Sequence, residues 1–104
     1  MKLHDRPELE GVLLADGLDE AFIGTHKPKD RPGLKVPLAV YSIEKIIEIY
    51  MKDGMTYEEA DEFFWYNVDG AYVGEQTPLY ISEEEWEEIE DKWELIHKAV
   101  KRWN

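Results

Sequence analysis

An α+β fold is predicted for this chain: a small short-stranded sheet packed with an αα hairpin and a long amphipathic C-terminal helix. Three features predict it. Short extended runs precede residue 42, two capped helix starts follow in close succession, and a regular apolar seam runs along the last segment. At 104 residues a single domain is expected, divided into a flexible arm over 1–7, a core over 8–81 and the C-terminal helix over 82–104.

Within the core, Glu8 to Ala15 carries Leu9, Val12 and Leu13 at the spacing of one helical face, although Gly11 weakens that helix. Asp16-Gly17 closes it. Ala21 to Thr25 has strand character, and KPKDRPG from Lys27 to Gly33 is a loop by its prolines, glycine and charges. Val36 to Tyr41 is a second strand, with Pro37 at its start or on an edge because proline donates nothing to a ladder.

Ser42 is placed to cap a helix running to about Asp53, with Ile43, Ile46, Ile47, Tyr50 and Met51 as its apolar stripe and Gly54 as its stop. Thr56 with Glu59 three residues on forms a capping box, so a second helix starts at once and completes the hairpin. It carries Ala60, Phe63, Phe64 and Val68 on or beside one face, and Asp69-Gly70 stops it. Ala71 to Val73 is expected as a short strand in which Gly74 makes a bulge or a close backbone approach. Leu79 to Ile81 resumes the extended pattern. This order suggests helices packed on one face of the sheet.

Ser82 and Glu85 repeat the capping box, and Trp86, Ile89, Trp93, Ile96, Val100 and Trp103 keep a three-four spacing. At ~25 cal/mol per Å² and ~150–250 Å² per aromatic side chain, leaving the three tryptophans in water forgoes on the order of 10 kcal/mol before entropy is subtracted. That face must be covered. Two covers are open: the domain itself, or a partner chain, either another protein or a second copy forming a homodimer.

A formal charge of −12 weighs against direct nucleic-acid binding, which draws on lysine and arginine, and against anionic membranes. The chain has no cysteine, which removes disulfides, thiolate nucleophiles and thiolate metal ligands. With no leader pattern and no long apolar run, a cytoplasmic protein is expected.

His4, His26 and His97 share no metal-ligand spacing, so neither a metal nor another cofactor is expected. Ser42 and Ser82 are accounted for as caps, no serine lies in a nucleophile elbow, and the glycines do not form a phosphate loop. No catalytic residue is assigned. The polar cluster that merits attention is Asn67, Asp69, Tyr72, Glu75 and Thr77, which would line a small pocket beside Trp65 and Tyr66. Its plainer role is local hydrogen bonding at a helix end and a turn.

The segments GLDEAFIG (Gly17 to Gly24), LAVYSIEKIIEI (Leu38 to Ile49) and DGMTYEEADEFFWYNVDGAYVGEQTPLYI (Asp53 to Ile81) resemble a family of small uncharacterised proteins of tailed phages, with scattered prokaryotic members. The family's marks are a D-G-M-[ST]-x-E-E-A helix start followed by F-N-x-x-G-A-[YW]-x-G-E-x-T-P. Tyr66 stands here for the usual phenylalanine, and the resemblance stops short of the C-terminal helix. It implies no reaction or ligand. It does imply a viral-type setting, in the host cytoplasm, for an acidic accessory protein that acts by binding, inhibition of a host factor being one such mode. The alternative is a small-ligand binder or enzyme using the cluster from Asn67 to Thr77.

Overall fold

The computed structural model describes residues 5–28, 33–69 and 74–89. Three strands, β1 (Phe22–His26), β2 (Leu38–Ser42) and β3 (Leu79–Ile81), form one sheet in that order. β1 runs antiparallel to β2, whereas β3 runs parallel to it. A parallel pair needs a crossover. Here the crossover contains α1 (Ile43–Lys52), α2 (Tyr57–Phe63) and a π-helical turn over Phe64–Asp69. A third helix, α3, is described over residues 83–89. The α+β class is thus present, with the two expected helices joined by a short connection.

Every residue of β2 is buried, as befits a central strand covered on both faces. Ala39 and Tyr41 point into a core shared with Leu9, Val12, Leu18, Ala21, Ile46 and Phe64. Around Tyr41 the rings interlock: Phe22 meets it edge-on at 5.8 Å, Tyr80 lies at 5.8 Å, and Phe64 meets Tyr80 edge-on at 5.8 Å. The hydroxyl of Tyr41 accepts a 2.8 Å hydrogen bond from the Ala15 backbone N–H, which fastens the N-terminal segment to the central strand.

Leu38 and Val40 alternate to the other face. Gly24 pairs with Val40, and the indole of Trp86 lies directly over Gly24. Helical cover therefore comes from both sides, with α1 and the π-helical turn on Tyr41's face and the start of α3 on Val40's. The expectation of helices on one face fails at this point. The register of β1 slips between Phe22 and Gly24, so a bulge in this strand separates the ring of Phe22 from the glycine that receives Trp86. The close backbone approach expected at Gly74 is not found among the described residues; the tight neighbour is a side chain, that of Trp86, and it lies on Gly24. Gly74 has a φ of +106°, with open space where a Cβ would be, and starts a turn in which the Thr77 N–H donates to its carbonyl at 3.2 Å.

The expected helix over Glu8 to Ala15 does not form either. A single 3-10 turn, Pro7–Leu9, uses proline's fixed φ at its first position, and Gly11 at φ +83° then turns the chain. Leu9 and Val12 still reach the core. The 3-10 turn begins inside the segment expected as an arm. The strand expected at residues 71–73 and the glycine stop at residue 70 lie outside the described residues.

The caps follow the sequence closely. Ser42 Oγ accepts from the Lys45 N–H at 3.1 Å, and Thr56 and Glu59 complete a reciprocal box. At α3, Ser82 Oγ accepts from the Glu85 N–H at 3.1 Å, but the Glu85 carboxylate turns to the Ser82 hydroxyl, at 3.3 Å, rather than to its backbone. Because β2 and β3 are parallel and each leads into a helix, the starts of α1 and α3 are neighbours. They exchange carboxylates: Glu44 accepts from the Glu83 N–H at 3.0 Å, and Glu83 accepts from the buried Ser42 hydroxyl at 3.1 Å. Each negative charge sits at the positive end of the other helix.

Candidate functional site

The second helix and its π extension carry the most exposed aromatic surface among the described residues. FFWY places consecutive aromatic side chains at positions 63–66, and successive residues of a helix point in different directions, so one face cannot take all of them. Phe64 goes inward and is fully buried, in edge contact with Trp65 at 4.9 Å. Its neighbours face outward: Phe63 is 38% exposed, Trp65 49% and Tyr66 80%. The turn then widens into π geometry from Phe64 to Asp69, a form found often at functional positions.

A surface groove of about 420 Å³ runs along this element, lined by Met55, Glu59, Glu62, Phe63, Tyr66 and Asn67. Its residues recur at the three-four spacing of one helical stripe. The ring of Tyr50 meets Phe63 edge-on at 4.9 Å and so holds the groove's aromatic floor against α1. Burial, with the nearby Asp53 carboxylate, pushes the pKa of the Tyr50 phenol up, so the ring beneath Phe63 stays neutral further into alkaline pH than a free tyrosine. Trp65 lies outside the groove lining and donates its indole N–H to Asp61 at 3.1 Å.

Both groove carboxylates belong to α2. Glu59 accepts from the Thr56 N–H at 2.9 Å, and the bonds from the Thr56 backbone and hydroxyl hold its carboxyl below the usual range. Glu58, Glu59, Asp61 and Glu62 make this helix strongly acidic, and no lysine or arginine falls between Tyr57 and Asp69. Among the described residues none of these carboxylates has a cation partner, and the ion pair that is present, Lys45 to Glu83 at 3.9 Å, lies elsewhere.

The cluster expected from sequence is distributed as follows. Asn67 lines the groove. Asp69 ends the π turn, while Glu75 and Thr77 belong to the following turn, where the Thr77 hydroxyl donates to the Gly74 carbonyl at 2.6 Å. Tyr72 lies outside the described residues. Of the expected interface residues, Trp86 and Ile89 are half-buried on α3, and Trp86 packs on its own sheet over Gly24. Trp93, Ile96, Val100 and Trp103 lie outside the described residues. Met55, Glu59, Glu62 and Phe63 were not legible as site residues. Their signal in the sequence is an aromatic run too long for one buried face beside a block of acids with no lysine or arginine among them.

A second hollow of about 300 Å³ is lined by Leu14, Ala15, Asp16, Gly17, Asp19, Glu20 and Ile49. Among the described residues no group of histidine and carboxylate side chains is arranged to hold a metal ion, and no helix is long and apolar enough to cross a membrane. Comparison with known proteins gives no match to a family model, to a curated protein or to a solved structure.

Proposed function

We propose that this protein works by binding another macromolecule, as a non-enzymatic acidic accessory protein of viral type. The observation that carries the reading is the outward aromatic surface of Phe63, Trp65 and Tyr66 on a helix whose carboxylates lack cation partners among the described residues. Exposed aromatic side chains are costly to leave in water and are favoured anchors at interfaces. A net charge of −12 adds long-range attraction toward basic surfaces and repulsion from nucleic acid and anionic membranes. Resemblance to the phage-type family supports inhibition of a host factor as the mode of action, with the host cytoplasm as its location.

A long amphipathic helix over 82–104 is the other part of this proposal. Its seam offers a surface for a protein partner or a second copy beyond Trp86. Sedimentation of the full chain, with and without Trp93→Ser, tests that part. A self-associating protein that becomes monomeric on substitution supports it, and a chain that is monomeric in both forms removes self-association through the seam.

The alternative, a small-ligand binder or enzyme built on Asn67, Asp69, Tyr72, Glu75 and Thr77, draws on the position of Asn67 in the groove. Affinity capture from native cells on the wild type and on Tyr66→Ser separates the readings. The binding role predicts a specific protein that is retained by the first and lost from the second. Equal capture by both removes the exposed aromatic surface as the basis of the role.

A further inference from the structure

From the groove along α2 we infer that the partner's contacting segment is a basic amphipathic helix, with an apolar side chain seated on Phe63 and Tyr66 and lysine or arginine reaching Glu59 and Glu62. This rests on the binding role proposed above and names the chemistry of its partner. The floor is Met55, Phe63 and Tyr66, the carboxylates of Glu59 and Glu62 stand beside it, and Asn67 closes one end. The groove, about 420 Å³, is shallow and open to solvent, a shape that takes one side chain of a partner laid along it and does not enclose a free ligand. The aromatic floor gives an apolar anchor a dry contact, and the adjacent acids need positive charge once water is displaced.

Charge selects the occupant. The groove residues come from a helix with acids at Glu58, Glu59, Asp61 and Glu62 and no basic residue. A second copy meeting this face symmetrically would set these acids against their equivalents, which like-charge repulsion opposes. An uncharged apolar segment would partly desolvate both carboxylates and bring no positive charge to either, the bonds from Thr56 to Glu59 being its only compensation among the described residues. A cationic segment satisfies both, and the exposed ring of Tyr66 adds a face on which an arginine can stack. Acids three residues apart on α2 lie about 4.5 Å apart along its axis, so cations one turn apart on a docked helix match them.

The test uses the full chain and three labelled synthetic peptides of equal length, read by fluorescence anisotropy. One is a leucine–lysine amphipathic helix, one has glutamate for every lysine, and one is a scrambled form of the first with no apolar face. The first is expected to bind, the other two to bind at least about tenfold more weakly, and raising salt from about 0.05 to 0.3 M to weaken the first complex by about tenfold or more. Tyr66→Ser and Glu62→Gln change exposed side chains that the fold does not use, and each is expected to weaken binding by about fivefold to a hundredfold, as loss of an interface anchor does.

Binding of the leucine–lysine peptide unchanged by both substitutions overturns the groove while leaving the binding role standing. Equal binding of all three peptides, or none by any, overturns the inferred partner chemistry. Self-association abolished by Tyr66→Ser without peptide reassigns the groove to a second copy and overturns it too. Loss of the cellular partner in Tyr66→Ser alongside a failed peptide test keeps the binding role and rejects only the basic helix.

Discussion

Trp86 lies so close over Gly24 that a Cβ on that glycine would stand 2.7 Å from Cζ2 and 3.1 Å from Cη2 of the indole. The contact joins the first helical turn after β3 to the first strand of the sheet, across the central strand between them. Glycine is required by this neighbour, since a side chain here must displace a ring. Gly24→Ala is expected to destabilise the fold by about 1–3 kcal/mol through overpacking. Urea denaturation measures it, and wild-type stability would mean that the indole moves aside freely.

Tyr41 supplies the acceptor for the Ala15 N–H from the middle of the aromatic core. Tyr41→Phe keeps the ring and strands the donor, with an expected loss of about 1–3 kcal/mol where the N–H stays dry. Burial, more than the nearby Asp19 and Asp16, pushes the pKa of this phenol up, although the Ala15 bond opposes the shift. A folded pKa above the unfolded value leaves stability intact below about pH 10 and erodes it as pH rises from there through the folded value, because the unfolded chain releases its proton first. Denaturation midpoints between neutral and alkaline pH should fall less steeply in Tyr41→Phe than in the wild type.

Glu59 gives the opposite dependence. Its carboxyl is held low by bonds from Thr56, so its contribution is present above the ordinary glutamate range and is lost as pH falls through the folded value. Thr56→Ala removes the hydroxyl half of the box and is expected to cost about 1 kcal/mol, as N-cap replacements do. In that variant the acid sensitivity assigned to Glu59 should diminish. An unchanged acid midpoint difference would place the sensitivity elsewhere.

Phe64 is fully buried where α2 passes into its π turn. Phe64→Ala is expected to cost about 3–5 kcal/mol, while Tyr66→Ala, two residues on, should stay within about 0.5 kcal/mol of the wild type. Thermal and urea unfolding of the pair would test the division of this aromatic run into an inner and an outer side. Equal losses would contradict it.

Legibility in the sequence followed the range of the interaction. Ser42, Thr56 and Ser82 cap helices through bonds to residues three positions away, and all three starts are readable. The N-terminal segment was not, since Leu9 and Val12 reach the core through a tight turn and Gly11 rather than along a helix. Gly24 could not be chosen over Gly74 as the point of close approach, because the indole that meets it comes from a residue far along the chain. Of the residues that the sequence points to around a hollow, Tyr66 and Asn67 line the groove and Trp65 lies outside it. Its acidic side was missed because Glu59 already had a sufficient local role as a cap. The widening of the helix into π geometry has no residue signature comparable to a cap or a proline.

Between Ser42 and Leu79 the chain builds both hairpin helices before it supplies the strand that completes the sheet. During synthesis, the wholly buried central strand must therefore wait with one side unmatched until residues 79–81 leave the ribosome. While residues 79–81 are still inside the ribosome, the edge of β2 presents an open ladder of peptide groups, and it closes only once that segment has emerged.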